Sequence, residues 1–122
     1  MLYAILCYDS EDVVGNWTAD EDAAVMAKLT VVQEKLEKQG KLGPVARLMP
    51  THSARTVRKQ KALVLDGPFA ETKEQLLGFF VVDCATQEEA LEVAQALGGA
   101  SGSAGAFEVR PMALYRPGSL KA

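Results

Sequence analysis

The residues best suited to chemistry are concentrated in one segment, residues 66–74, which reads DGPFAETKE. Asp66 and Glu71 are candidates to transfer a proton or to anchor a ligand, and Lys73 could hold an anionic substrate. Pro68 has a fixed φ and no N–H, so the segment turns sharply. The alternative, which the residues alone favour, is a turn at the end of a strand whose acids cap the backbone and whose lysine is solvated.

A second group is basic and comprises Arg47, Arg55, Arg58 and Lys59. If the segment around Arg47 and the segment around Arg58 line a common cleft, the two guanidinium groups could clamp a carboxylate through paired hydrogen bonds. The alternative is a solvated hairpin with one structural ion pair. We therefore treat Arg47 and Arg58 as candidate substrate-binding residues.

The remaining reactive side chains give weaker signals. His52 is the only histidine, and we interpret it as a solvated loop residue, so no metal site is predicted. Cys7 and Cys84 each end an apolar strand, and we expect those strands to be adjacent and parallel, with the thiols near each other. We interpret both cysteines as small, reduced hydrophobic side chains. The sequence predicts no bound cofactor.

Composition restricts the class of protein. The chain has 122 residues, 48% of them hydrophobic, and a net charge of −3, which is typical of one soluble domain. No apolar run is long enough to cross a bilayer, and the N-terminus lacks the basic start of a signal peptide. The mild acidic balance argues against nucleic-acid binding. We expect a cytoplasmic protein.

Periodicity and capping residues predict alternating strands and helices. Thr18 with Glu21, and Thr86 with Glu89, fit the capping box that begins a helix. Glycines are expected to end these helices, at Gly40 and at Gly98 with its neighbour. The strands are expected at residues 1–8, 45–49, 56–58, 62–65, 78–84 and 107–114, with a short helix at 71–76 and a loop at 98–106.

This order is β-α-β-(hairpin)-β-α-β, an α+β plan that is ferredoxin-like with a hairpin inserted in the middle. Two helices cover only one face of such a sheet, yet residues 1–8 and 78–84 are apolar on both faces. An uncovered apolar sheet face usually marks an interface. We therefore expect a homodimer that packs sheet against sheet.

Residues 66–83, DGPFAETKEQLLGFFVVD, resemble the signature of the YCII-related family, in particular its DGPF subfamily. The resemblance extends from Met1 to about residue 114 through the segments around Arg47 and Thr56 and through residues 108–111. We therefore expect one domain at residues 1–114 and a C-terminal tail at 115–122.

The resemblance implies a dimeric α/β-barrel, and it implies a site that includes Asp66, Glu71 and Lys73 with Arg47 or Thr56. Some relatives occur beside extracytoplasmic-function sigma factors, which implies a regulatory connection. Another branch of the family uses a His–Asp pair with the histidine in the first helix. Residues 20–39 of this chain contain no histidine, so that mechanism is not expected here.

Two functional hypotheses follow. The first is an enzyme without metal or organic cofactor that acts on a small organic acid or related metabolite in a pocket near the DGPF turn. Asp66 or Glu71 would then move a proton, while Arg47, Arg58 or Lys73 neutralises negative charge. The alternative is a non-catalytic homodimer that binds a small molecule or regulates a sigma-factor system. A purely structural dimer, in which the signature only builds the turn, is a third interpretation.

Overall fold

The computed structural model describes residues 1–121 and contains a four-stranded antiparallel sheet, a separate two-stranded hairpin and three helices. The order of strands in the main sheet is β2-β5-β1-β6. The elements are β1 (Leu2–Asp9), α1 (Glu11–Gly15), α2 (Ala19–Lys38), β2 (Leu42–Arg47), β3 (Arg55–Arg58), β4 (Leu63–Asp66), β5 (Gln75–Asp83), α3 (Gln87–Ser101) and β6 (Ala106–Pro111). The ferredoxin-like α+β plan with an inserted hairpin is confirmed.

The direction of one strand pair differs from the expectation. β1 and β5 are adjacent but antiparallel, because β5 inserts between β1 and β2 in the opposite direction. Cys7 therefore lies opposite Gly78, whereas Cys84 follows Asp83 at the other end, where the Cys84 N–H donates to the Met1 carbonyl. The prediction of parallel strands was wrong, and the two cysteines lie at opposite ends of the strand pair.

The first long helix begins and ends where the sequence predicts. The Thr18 hydroxyl accepts from the Glu21 N–H at 3.1 Å, and the Glu21 carboxylate accepts from the Thr18 N–H at 3.0 Å, which completes the capping box. Gly40 ends the helix with a φ of +68°, which glycine adopts without strain. Leu29 and Leu36 are buried on the predicted apolar face.

The second long helix extends further than predicted. Thr86 caps its start, but the Glu89 carboxylate accepts from the Ala85 N–H and pairs with Lys41 at 2.6 Å rather than completing the box at Thr86. The predicted end at Gly98 was wrong. The helix continues to Ser101 and ends at Gly102, whose φ is +69°. Gly98 remains helical, and a Cβ atom there would make ordinary contact with the Phe107 ring at 3.8 Å.

Two local predictions fail for reasons of hydrogen bonding. No helix forms at residues 71–76, because Thr72 donates to the Glu74 carbonyl and the Gln75 side chain donates to the Ala70 carbonyl, and such bonds compete with helical ones. β5 instead begins at Gln75. The short helix α1 was not predicted. β2 begins three residues earlier than expected, at Leu42, and passes through an irregularity before Val45.

The sheet has two faces with different surroundings. Tyr3, Ile5, Phe80 and Val82 lie on the face against which α2 and α3 pack, and they form one buried cluster with Leu29, Ala90, Ala94 and Leu97. The opposite face, called here the open face, carries Leu6 beside Phe79 and Ala4 beside Val81, with Glu108 and Arg110 at the β6 edge. Leu6 and Phe79 are only partly buried.

The domain boundary stays a prediction. Residues 112–121 contain neither helix nor strand, while the tail expected at 115–122 ends in residue 122, which lies outside the described residues. In residues 1–121 no helix is long and apolar enough to cross a membrane.

Close packing at the end of β1 makes Gly105 a sensitive position. A Cβ atom there would lie 2.1 Å from the Tyr8 carbonyl oxygen and 2.8 Å from the Asp9 carboxyl carbon. We expect Gly105→Ala to lower the free energy of unfolding by about 1–3 kcal/mol, because the backbone must shift. Urea denaturation measures this directly.

Gly99→Ala is the matched control. Gly99 lies inside α3 with nothing within 4 Å of its added Cβ, so alanine should raise stability by up to about 1 kcal/mol. Equal stability of the two variants would contradict the packing described at Gly105.

Candidate binding site

A cavity of about 160 Å³ lies between α2 and the sheet, and we call it the inner cavity. Most of its lining is apolar and comes from α2, from the ends of β1, β2 and β5, and from β6. The principal side chains are Val25, Met26, Leu29, Phe80 and Phe107. An apolar cavity of about 150 Å³ suffices to hold a benzene molecule. The inner cavity can therefore receive a small apolar group.

Polar groups stand at one end of this cavity. Asp9 and Ser103 both line it, and the Ser103 hydroxyl donates to the Asp9 carboxylate. The other Asp9 oxygen accepts from the Ser10 N–H at 2.8 Å. Since both oxygens of this carboxylate already accept hydrogen bonds, Asp9 fixes the geometry of the loop after α3.

Arg47 is the cationic group of the cavity lining, and α2 holds it in place. Its Nη2 lies 2.9 Å from Asp22 Oδ1 and its Nη1 lies 3.4 Å from Asp22 Oδ2, so the pair is bidentate. A guanidinium group carries five N–H donors. The Asp22 pair uses two of them, and the Arg47 side chain remains half exposed, so it can still donate to a second carboxylate.

Arg47 also borders a larger, shallow depression of about 760 Å³, called here the outer depression. Val14, Arg47 and Leu77 line both spaces, so the two adjoin at this point. Glu11 and His52 contribute to the outer depression. A molecule with an apolar body and a charged end could occupy the inner cavity and present its charge at this junction.

Glu11 fastens the short turn that carries His52. The Glu11 carboxylate accepts from the Thr51 N–H at 2.7 Å and from the Thr51 hydroxyl. These hydrogen bonds, with a smaller contribution from nearby His52, lower the pKa of Glu11. His52 is exposed in this turn. Glu11 is therefore a positioning group that stays ionised rather than a base that readily accepts a proton.

Cys7 lines the inner cavity as an unreactive thiol. Burial raises its pKa to about 12, so the thiolate is scarce near neutral pH. Burial also raises the pKa of Cys84. Both cysteines are free, which agrees with interpreting them as small hydrophobic side chains.

The residues of the DGPF segment lie elsewhere, on the hairpin and the turn that follows it. Asp66 is 94% exposed and lies 3.3 Å from the Arg55 guanidinium. Glu71 and Lys73 are exposed as well. The Thr56 hydroxyl donates to the Gly67 carbonyl at 2.9 Å and thereby closes the base of the hairpin.

The two arginines expected to form one clamp have different partners within the chain. Arg47 pairs with Asp22, whereas the Arg58 guanidinium lies 5.1 Å from the centre of the Phe69 ring. The inner cavity thus brings Arg47, from the predicted site, together with Asp9, Ser103 and Trp17, which were not predicted. Across residues 1–121 no group of three or more His, Cys, Asp or Glu side chains could hold a metal ion.

Comparison with known proteins gives two matches that cover nearly the whole chain. The model of the YCII-related domain family matches residues 1–115. An uncharacterized protein of Rhizobium meliloti (strain 1021) is 56% identical over 122 residues, which is 98% of each chain.

The Glu11–Thr51 contact predicts a pH-dependent contribution to stability. Because the folded-state pKa of Glu11 is lowered, this contribution is present above the ordinary carboxyl pKa of about 4.3 and is lost as pH falls through the lowered value. Thr51→Val should cost about 1 kcal/mol of unfolding free energy at pH 7, and the difference from wild type should shrink toward pH 3. Urea denaturation between pH 7 and 3 measures both.

Thr72→Val is the control, because the Thr72 hydroxyl donates to a backbone carbonyl that does not titrate in this range. A Thr51→Val difference that stays constant with pH, as the control should, would contradict the charged contact.

Proposed function

The chain belongs to the YCII-related domain family, and we propose that it is a homodimer that binds a small organic acid in the inner cavity. The apolar body of the acid enters between α2 and the sheet, and its carboxylate meets Arg47 at the junction with the outer depression. We expect this dimer in the cytoplasm, where thiols such as Cys7 and Cys84 stay reduced. Binding calls for no metal or organic cofactor.

The main support for this proposal is an apolar cavity that ends at the half-exposed guanidinium group of Arg47. Ligand sites typically combine an apolar lining with a few placed polar groups, and this cavity has that composition. Its volume restricts the apolar part to about the size of one aromatic ring or a short branched chain. Arg47 selects for a planar anion, because its remaining donors suit a carboxylate.

Two surfaces support the dimer. The open face places Leu6 beside Phe79, both only partly buried, on the side of the sheet away from α2 and α3. The β3–β4 hairpin exposes Val57, Leu63, Val64 and Leu65. A two-stranded hairpin is marginally stable by itself in water. A second copy that packs against these surfaces would bury both.

Catalysis is the second candidate, and Asp66 and Glu71 remain its predicted proton-transfer groups. Thr56, Arg58 and Lys73 remain predicted substrate contacts beside Arg47. Within one chain, exposed Asp66 lies against Arg55 rather than in the inner cavity. This hypothesis therefore needs another surface to cover the DGPF turn, and the exposed hairpin is the observation that favours it. A regulatory link to a sigma factor rests on the family resemblance alone.

Binding is tested with small carboxylates, beginning with benzoate and including phenylacetate and hexanoate. Arg47→Met should weaken binding about tenfold or more, because a hydrogen bond to a charged group is worth about 1.5–3 kcal/mol. Isothermal titration calorimetry measures the affinity, and product analysis of the same mixtures detects turnover.

Arg116→Met is the matched control, because Arg116 is exposed and lines neither the inner cavity nor the outer depression, so binding should be unchanged. Benzyl alcohol, which lacks the charge, should bind to wild type and to Arg47→Met equally. Carboxylates that bind both proteins equally, or that bind neither, would contradict the proposed site.

The dimer is tested by placing a charge on the open face. Leu6→Glu should dissociate the dimer, because burying an unpaired carboxylate between two sheets is costly. Val31→Glu is the matched control, since Val31 is 68% exposed on α2. Sedimentation velocity should report a monomer for the first variant and a dimer for the second. A wild-type monomer, or a dimer that survives Leu6→Glu, would contradict this interface.

A further inference from the structure

The β3–β4 hairpin, residues 55–66, projects from the molecule as an arm. Val57 and Val64 face each other on one side of it, while Leu63 and Leu65 lie on the other, and each of the four is between 42% and 60% exposed. Its base is tied by the Thr56–Gly67 hydrogen bond and by the Gly67 N–H, which donates to the Ala54 carbonyl at 2.8 Å. A two-stranded hairpin is marginally stable alone, and exposed apolar side chains of this kind mark contact surfaces. We therefore expect the arm to pack against another surface.

The tip of the arm is basic. Arg58, Lys59 and Lys61 stand around the turn, and all three are exposed. The Phe69 ring, in the DGPF turn, forms a cation–π contact with Arg58, whose Cζ lies 5.1 Å from the ring centre. Within residues 1–121 none of these three cations forms a salt bridge.

The opposite charge lies where α1 meets α2. We call this surface, made of Asp12, Asp20 and Glu21, the acidic corner, and all three side chains are exposed. In the described part of the chain these carboxylates form no salt bridge either. Val14 and Trp17, which lie between Asp12 and Asp20 in the sequence, line the inner cavity.

From these complementary surfaces we infer that the arm of each protomer lies on the acidic corner of its partner. This inference rests on the proposed homodimer and specifies how its site is completed. A two-fold axis repeats the contact, so a basic tip meets an acidic corner twice in each dimer. The partner subunit's Arg58 then stands at the mouth of the inner cavity and supplies a second cation for the carboxylate held by Arg47.

In this arrangement the DGPF signature shapes the base of the arm and orients Arg58. Gly67 adopts a φ of +96°, which returns the chain from the arm, and Phe69 orients Arg58. The signature thereby serves a site in the other protomer, which agrees with the position of Asp66 and Phe69 away from the inner cavity of their own chain.

Charge reversal tests the contact. Lys59→Glu with Lys61→Glu should raise the dimer dissociation constant at least tenfold, and so should Asp12→Lys with Asp20→Lys, since like charges then meet across the interface. The chain with all four changes should return to within about threefold of wild type, because the charges are complementary again. Lys28→Glu with Lys35→Glu, on the exposed side of α2, is the control and should have little effect.

Mixed dimers test whether Arg58 acts across the interface. Arg47→Met and Arg58→Met should each weaken benzoate binding as homodimers. In a heterodimer of the two variants, a partner-supplied Arg58 leaves one site intact and one site without either arginine. Half of the sites should then regain wild-type affinity, whereas an Arg58 that acts in its own chain would leave every site impaired.

The outcomes separate this inference from the proposed function. If Leu6→Glu dissociates the dimer and benzoate binds through Arg47, but the charge reversals and the mixed dimers behave like their controls, the arm contact is wrong and the binding dimer stands. If benzoate binds to no variant and wild type is monomeric, both fail together.

Discussion

Both faces of the main sheet carry apolar side chains, but the helices cover only one of them. α2 and α3 bury Tyr3, Ile5, Phe80 and Val82, whereas Leu6 and Phe79 on the opposite face stay only partly buried. Apolar area of this kind favours association, because moving it out of water stabilises a complex in proportion to the area buried. The proposed dimer therefore follows from the apolar residues on both faces of β1 and β5.

The same architecture places the candidate site at the edge where β1, β2 and α2 meet. Asp22 on α2 holds Arg47 on β2, so the helix that builds the core also orients the cation. Glu11 joins α1 to the turn that carries His52, and Asp9 secures the loop after α3 through Ser103. The acidic groups of this region act as supports for the backbone and for Arg47, which leaves an apolar interior with one available positive charge.

Local signals in the sequence predicted most of the fold, and features set by distant contacts were missed. The Thr18 capping box and the glycine at residue 40 predicted α2 correctly because both act within one turn of the helix. Gly98 misled the prediction of α3, because the glycine with the positive φ that ends this helix is Gly102 and Gly98 continues it. The relative direction of β1 and β5 could not be predicted locally, because β5 begins at Gln75, 66 residues after β1 ends at Asp9. The candidate site could be predicted only in part for the same reason. The DGPF segment is easily recognised because its residues are adjacent in sequence, whereas the inner cavity joins Arg47 to residues of six other elements and two loops.

An isotope-filtered NMR experiment on a mixture of labelled and unlabelled protein tests whether two chains associate through the open face. Nuclear Overhauser contacts between Leu6 of one protomer and Phe79 of the other would show that two 13.1 kDa chains pack through the open face. We expect these contacts to be observed. Their absence in a sample that sediments as a dimer would show that another surface forms the interface, and it would contradict the account built on the open face.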